Sequence, residues 1–172
     1  MIKKFNDLLK NIDNVFRLRD EKFFDEVILN ITLMSWAFRG VFFTNFTFKN
    51  FKFQGNVMTK CVFATCIFTD SLLTRNQFYE CKFLKCTFIN CDFTRRDIND
   101  TDFCSCNFDG YSFNKAYLSN CHFDQNTFKN RTGFGVCPLI SDSKISNKDW
   151  SINFTGDSDF HELIQFFHEE NN

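Results

Sequence analysis

Large apolar side chains recur every five residues through most of this chain, and that period constrains its fold more than any other feature. Stepping by five from Phe38 to Phe128 meets Phe everywhere except Met58, Leu73, Ile98 and Leu118, which are also large and apolar. With 27 Phe in 172 residues, chance would put about three Phe on those positions. A period of five fits neither a helix at 3.6 nor an uninterrupted strand at two. It fits a chain that turns a corner every five residues, with one bulky side chain per side pointing at a common axis.

A second row sits two residues before each bulky one. It holds Cys61, Cys66, Cys81, Cys86, Cys91, Cys106 and Cys121, with Val41, Ser71, Thr101 and Ala116 among the others. The other three positions of each unit are mostly Lys, Asp, Asn, Thr, Gly and Arg, so two side chains face inward and three face water. Small beside large lets the rings interdigitate without overfilling the interior.

Units such as Cys81-Lys82-Phe83-Leu84-Lys85, Cys86-Thr87-Phe88-Ile89-Asn90 and Cys106-Asn107-Phe108-Asp109-Gly110 resemble those of pentapeptide-repeat proteins. The resemblance runs without insertion over residues 36–130. It implies a mainly β fold, a right-handed quadrilateral β-helix with four units per coil, in which residues 20 apart stack. On that expectation Phe43, Phe63, Phe83, Phe103 and Phe123 form one ladder, and Phe48, Phe68, Phe88, Phe108 and Phe128 the next. The face bearing Phe38, Met58, Phe78, Ile98 and Leu118 is irregular, because its small positions read Trp36, Asn56, Asn76, Arg96 and Ala116. Since an unpaired buried guanidinium is too costly, Arg96 is expected either to turn outward at a bulged corner, the preferred reading, or to be partly buried with a carboxylate such as Asp97 or Asp100.

A β-solenoid exposes unpaired strand edges at both ends, so caps are expected. Residues 1–35 read as an N-terminal helical cap and lead-in strand, with Ile2, Phe5, Leu8, Leu9, Ile12, Val15 and Phe16 at helical spacing over residues 2–18. Val27 to Ala37 is β-prone and in register, which allows the first coil to begin before Trp36. Residues 131–172 read as a C-terminal acidic capping segment. Gly133, Gly135 and Pro138 break the repeat. A last helix is predicted from Asp159, an N-cap with Glu162 three residues on, carrying Phe160, Leu163, Ile164 and Phe167 on one side.

Composition narrows the function classes. Twenty Lys plus Arg against 21 Asp plus Glu leave a net charge of −1, neither a strongly basic nucleic-acid domain nor a wholly acidic decoy. Direct nucleic-acid binding is not expected, because exposed aromatic stacking residues and strong positive charge are both missing. Nine Cys, an odd number, suit a reduced interior and a cytoplasmic location. No apolar run reaches membrane-spanning length, and the first residues do not read as a signal peptide. No phosphate loop, nucleophile elbow or His-Glu-x-x-His motif is present, and Cys recurring every five residues is core filler, not a zinc pattern. The adjacent Cys121 and His122 point to opposite sides. Neither enzymatic activity nor a cofactor or metal is expected.

Outward positions therefore carry the functional candidates. Gly55, Arg75, Arg95 and Lys115 close successive units on one corner and stack three cations, with Asp92 the main acid near them. Val57, Val62, Ile67 and Leu72 form an apolar belt around one coil, fit for a terminal helix or a partner. Asp157, Asp159, Glu162, Glu169 and Glu170 supply the acidity of the tail, which carries 3 basic and 7 acidic residues from residue 131 onward. The expectation is a non-catalytic protein-binding solenoid, a monomer or weak dimer, that blocks another protein, either a toxin or an enzyme. Compact size and an AT-rich style of composition suit a bacterial immunity protein neutralising a cognate toxin. The resemblance also implies, as alternatives, DNA-mimicking protection of DNA gyrase or topoisomerase IV, and delivery as a bacterial effector. Mimicry needs stacked carboxylates, whereas residues 36–130 carry 11 basic and 8 acidic side chains.

Overall fold

The computed structural model describes residues 4–10, 17–94, 97–113, 116–129, 139–141 and 144–145. Its strands are mostly three residues long, those from Arg17–Arg19 to His122–Asp124 with buried centres, and the backbone turns after nearly every one. Four such strands make a coil: Arg17–Arg19, Lys22–Phe24, Val27–Leu29 and Thr32–Met34 trace the first. Each strand pairs in parallel with its counterpart one coil later, as in Phe63 opposite Phe83 and Phe68 opposite Phe88. The first and second faces each hold seven strands and the third holds six. The fourth is thinner, carried by a two-stranded pair, by single bridges from Leu72 to Lys52 and Asp92, and by the ends of two longer strands, where Cys91 and Asp92 pair with Tyr111 and Ser112.

Every turn demands the same backbone conformation. From Asp20 to Gln125, each described fifth residue has φ between 48° and 67°, the left-handed region. Only three of these residues are Gly. A left-handed residue other than Gly costs about 1–2 kcal/mol, least for Asn and Asp, whose short polar chains bond locally. Here they bond along the column: Asn45 donates to Asp25 at 2.9 Å, Asn50 to Asn30 at 3.0 Å and Asn90 to Asp70 at 3.0 Å. Corner strain is thus offset by side-chain ladders running parallel to the backbone pairing.

Inside, the rings stack as the repeat dictates. Phe43, Phe63, Phe83, Phe103 and Phe123 succeed one another at 5.1, 4.9, 4.9 and 4.8 Å between centroids, nearly coplanar. Phe48, Phe68, Phe88 and Phe108 do the same at 4.8, 5.1 and 4.8 Å. Adjacent ladders meet edge to face, as at Phe83 and Phe88, whose planes are 65° apart. The gap enclosed by the rings around Phe63 is only about 10 Å³ and is lined by apolar side chains alone, so the axis is dry.

The N-terminal end departs from the sequence expectation. The helix is only Phe5–Leu9, and Arg17 already lies in a strand paired with Ala37, so residues 17–35 belong to the column. Helical spacing does not carry to residue 18, because Arg17 and Leu18 already lie in a strand; within the helix Phe5 and Leu9 are buried and Leu8 packs against the core. Phe5 stands on the axis, 5.2 Å from both Phe23 and Phe43, and closes the open end of the barrel. The second coil closes around it by breaking the small-large rule: Trp36, Phe46 and Phe51 occupy small positions and are buried, and the Trp36 and Phe46 rings meet Phe5 edge to face.

At the other end the repeat does not stop the column. Leu139–Ser141 and Lys144–Ile145 add strands to the first and second faces, with Leu118 opposite Ile140 and Phe123 opposite Ile145. An unbroken repeat would set Leu118 against Pro138, so the pairing with Ile140 is shifted by two residues; Gly133, Gly135 and Pro138 lie outside the described residues. The helix expected from Asp159 lies outside the described residues. Phe88 is fully buried between Phe68 and Phe108, so Phe88→Ala is expected to cost about 3–5 kcal/mol. The check is the urea midpoint; a midpoint equal to wild type would show that the stacked rings do not hold the column.

Candidate binding surface

The inward small positions do more than fill space. Most side chains there that carry a donor reach the carbonyl of a buried strand centre in the preceding coil. Cys86 donates to Phe63 O at 3.2 Å, Cys106 to Phe83 O at 3.3 Å, Cys121 to Ile98 O at 3.2 Å and Ser71 to Phe48 O at 3.4 Å. The Asn residues at this position obey the same rule: Asn56 donates to Leu33 O, Asn76 to Phe53 O and Asn126 to Phe103 O, at 3.1, 2.8 and 2.8 Å. Their other end is also used. Asn56 Oδ1 accepts the Trp36 amide and Asn76 Oδ1 the Asn56 amide, at 2.8 and 2.9 Å. An Asn here therefore ties two coils together by both ends of its side chain, which accounts for the irregularity of the face that carries Asn56 and Asn76.

Thiols must stay protonated to donate. Burial pushes the Cys86 thiol well above its ordinary value, and hydrogen bonding with Cys61, then burial, raises that of Cys81. The eight cysteines described are all free, and seven are buried. Cys104 is the partly exposed one, on the second face. Its thiol too is raised, by burial and then by the charge of Asp102. Cys121 faces inward and His122 outward, as alternation requires. Among the described residues, no three of His, Cys, Asp and Glu are grouped closely enough to hold a metal ion, and no helix is long and apolar enough to cross a membrane.

One arrangement was not legible as such in the sequence. Glu26 occupies a small position in the first coil yet is buried, because it caps the N-terminal helix. Its carboxylate accepts the Phe5 amide at 2.7 Å and the Asn6 amide at 2.9 Å. These are first-turn donors that would otherwise be orphaned, and the negative charge suits that end of a helix. The available signal was a carboxylate one coil before Phe46, in a position the repeat reserves for the interior.

The outward candidates separate once the faces are known. Val57, Val62, Ile67 and Leu72 lie on the first, second, third and fourth faces in turn, so the belt is not one patch. Val57 and Ile67 are exposed, Val62 and Leu72 half-buried. Arg75 is exposed on the corner between the fourth and first faces, with φ of 58°. Arg95, Arg96 and Lys115, and the acidic tail residues Asp157, Asp159, Glu162, Glu169 and Glu170, lie outside the described residues. Asp92 is turned to Thr94, accepting its amide at 2.7 Å.

Two candidates do come together. A surface groove of about 420 Å³ runs along the corner between the fourth and first faces, lined by Gly55, Val57, Arg75, Gln77 and Asp97, with Asn56 and Asn76 as its floor. Gly55 takes the left-handed turn conformation there, and a Cβ at that point would meet no atom within 4 Å, so the groove is open above it. The floor is the doubly bonded Asn ladder, which fixes the backbone beneath the exposed cation and the exposed Val57. Elsewhere opposite charges alternate along the column, as in Lys60 with Glu80 at 3.2 Å and Lys82 with Asp102 at 3.6 Å.

The pentapeptide-repeat family model matches residues 86–125 in eight copies. The five-residue geometry of that segment extends back to Arg17, so the described residues form one parallel β-solenoid in which the matched repeats are a part. Among solved structures, a trypsin-treated form of QnrB1, a plasmid-mediated fluoroquinolone resistance protein, is 13% identical. The match covers 77% of this chain and 83% of that one with a TM-score of 0.48. HetL, a pentapeptide-repeat protein involved in heterocyst differentiation regulation in the cyanobacterium Nostoc sp. strain PCC 7120, is 8% identical over 82% of this chain and 94% of its own, with a TM-score of 0.42. Rfr23 from the cyanobacterium Cyanothece 51142 is 4% identical over 74% and 89%, with a TM-score of 0.27. No curated protein matches the chain in sequence.

Asn76→Leu keeps the size and removes the bonds. It takes a donor from the Phe53 and Leu73 carbonyls and leaves the buried Asn56 amide without this acceptor. A buried group left unsatisfied costs about 1–3 kcal/mol. The expected outcome is a loss of stability well beyond that of Ala116→Gly, measured by urea unfolding of both variants; equal losses would show that the Asn ladder only fills space.

Proposed function

We propose that the protein is a non-catalytic binding solenoid that engages another protein and blocks it, as an immunity protein neutralising a cognate bacterial toxin. The observation that carries this reading is the groove along the Gly55–Arg75 corner. It sets an exposed cation beside an exposed apolar side chain on a backbone held by a buried hydrogen-bond ladder. A rigid frame loses little conformational freedom on binding, so the interaction energy of a few outward residues is retained. Arg is the better cation for such a site, because its planar fork pairs with a carboxylate in two bonds. Sequence extends the same corner through Arg95 and Lys115, which favours an acidic surface on the partner.

DNA-mimicking protection of gyrase or topoisomerase IV is the competing reading. Mimicry of a duplex requires like negative charges at regular spacing, and the alternation of Lys60 with Glu80 and Lys82 with Asp102 runs against it.

Co-expression with a toxin encoded by the neighbouring gene is expected to restore growth of the host cell. Replacing Arg75 and Arg95 by Glu should leave thermal unfolding unchanged and weaken binding to that toxin by roughly 1–3 kcal/mol. A wild-type protein that gives no rescue but preserves gyrase supercoiling in the presence of a fluoroquinolone would overturn the immunity reading in favour of the competing one.

A further inference from the structure

Three described corners of the column carry Gly, and two of them are filled by a neighbour. At Gly40 and Gly110 the place of a side chain is taken by the corner residue one coil earlier, the Asp20 carboxylate and the Asn90 amide oxygen. At Gly55 that place is empty. The backbone is open there as well. Corner amides elsewhere donate to the next coil, Ser35 to Gln54 O at 3.3 Å, Asn50 to Thr69 O at 3.0 Å and Asp70 to Ile89 O at 2.9 Å. Among the described residues, the amides of Gly55 and Arg75 make no such bond. Asn76 accounts for the lapse. Its side chain donates to Leu73 O, three residues back, at 3.1 Å, and this local turn draws Thr74 and Arg75 out of the ladder. An N–H without a protein acceptor takes water or an anion, and two of them beside a guanidinium make a notch of positive potential.

The far side of the notch is negative. Asp97 lines the same groove as Gly55 and Arg75 and is exposed. Among the described residues Arg75 and Asp97 pair neither with each other nor with any other charge, whereas Lys60 and Glu80 meet at 3.2 Å on the next corner. Gln77 stands opposite Asp97, one coil apart, and lies two residues from Arg75. That places the Arg75 and Asp97 Cα atoms about 8 Å apart. A ligand that answers both charges has to carry a carboxylate and a cation at a similar spacing. A phosphate backbone does not, since it offers like charges only and Asp97 would repel it. In an extended peptide the side chains of residues two apart face the same way, about 7 Å from each other. The long Arg75 side chain spans the difference.

We propose that the notch takes an extended segment of the partner protein with Asp or Glu at one position and Lys or Arg two residues on. The acid meets the Arg75 guanidinium and the free amides, and the base meets Asp97. A planar guanidinium binds a carboxylate by two parallel bonds, which fixes the direction of the segment. Gly55 sets the specificity, because a side chain there would stand in the path of the acid. The inference rests on the chain being a protein-binding solenoid and not on the partner being a toxin.

Panning a phage-displayed library of short random peptides on the full-length protein tests it. Enriched peptides are expected to share an acid and a base two residues apart. One of them, synthesised, is expected to bind about tenfold more weakly to Arg75→Gln and to Asp97→Asn. Gly55→Asn fills the notch and suits the corner, since Asn holds the left-handed turn at Asn30, Asn45, Asn50, Asn90 and Asn120. With an unchanged urea midpoint as the check of folding, it is expected to weaken the same peptide about tenfold; if the midpoint falls, Arg75→Gln alone decides. Asp97→Lys is expected to reverse the choice, preferring the peptide whose base is replaced by Glu. Enrichment no better than background, enriched peptides that lack the pair, or an affinity indifferent to Arg75→Gln overturns the proposal. An oligonucleotide bound through Arg75 and tightened by Asp97→Asn also overturns it and assigns the notch to phosphate. Growth rescue is a separate readout: a peptide held in the notch without rescue removes only the toxin, and rescue by Gly55→Asn as strong as by the wild type moves the toxin contact elsewhere.

Discussion

The structure depends on the contact between one coil and the next, which the chain makes at every layer of its cross-section. Backbone amides reach the coil before, as Lys82 N does to Cys61 O at 2.9 Å. Rings follow the same direction, with Phe63 and Phe83 stacked at 4.9 Å. Inward donors do so too, Cys86 to the Phe63 carbonyl and Asn76 to that of Phe53. A carbonyl oxygen has two lone pairs, so it can accept a side-chain donor in addition to a backbone amide. In a dry interior a thiol, hydroxyl or amide without an acceptor would be costly. This bond is what admits Cys, Ser and Asn to a position that faces the rings. The Cys ladders are fillers and donors at once, and the raised thiol pKa of Cys86 keeps its proton in place.

The same logic explains why the ends differ from the middle. Among the described residues the first coil has no strand layer before it, so its inward positions meet no earlier carbonyl and a side chain from outside the repeat, Phe5, has to close the axis. Large apolar residues at Trp36, Phe46 and Phe51 close the second coil around Phe5 instead. Glu26 then holds the helix that carries Phe5, accepting two of its first amides. A helix of one turn or so is far too short to be stable alone. Its order comes from the buried ring and from that carboxylate, one apolar contact and one polar contact acting on adjacent residues.

Periodicity made the column readable, because a repeat of five states which side chains converge, and the stacking of residues 20 apart follows from four units per coil. The registers of Phe63 with Phe83 and Phe68 with Phe88 are those the sequence implies. What the repeat could not convey is chemistry at single inward positions. Asn56 and Asn76 read as imperfections, although Asn76 binds three backbone groups, the Asn56 amide and the Phe53 and Leu73 carbonyls. Arg17–Arg19 and Lys22–Phe24 read as part of a helical cap and its lead-in, since charged outward residues and a Glu at the small position mask the period there. The apolar belt misled in the opposite sense. Consecutive units look adjacent in sequence, but each belongs to a different face, and residues meet on the surface only when they are 20 apart or flank one corner.

That last point governs what such a column can recognise. A partner docking on one side reads residues from several coils at one position of the repeat, so a surface is written in sequence as a series spaced by 20. Val57 with Gln77 and Asp97, beside Gly55 with Arg75, make one such series across a corner. Phe42, Val62, Lys82 and Asp102 make another, which passes from apolar to charged along the second face. Because the interior is filled with stacked rings and bonded polar groups, substitutions at these outward positions leave the frame in place. The fold thereby rests on two inward residues in five and on the left-handed corner residue, and leaves the two other outward positions of each unit free to vary.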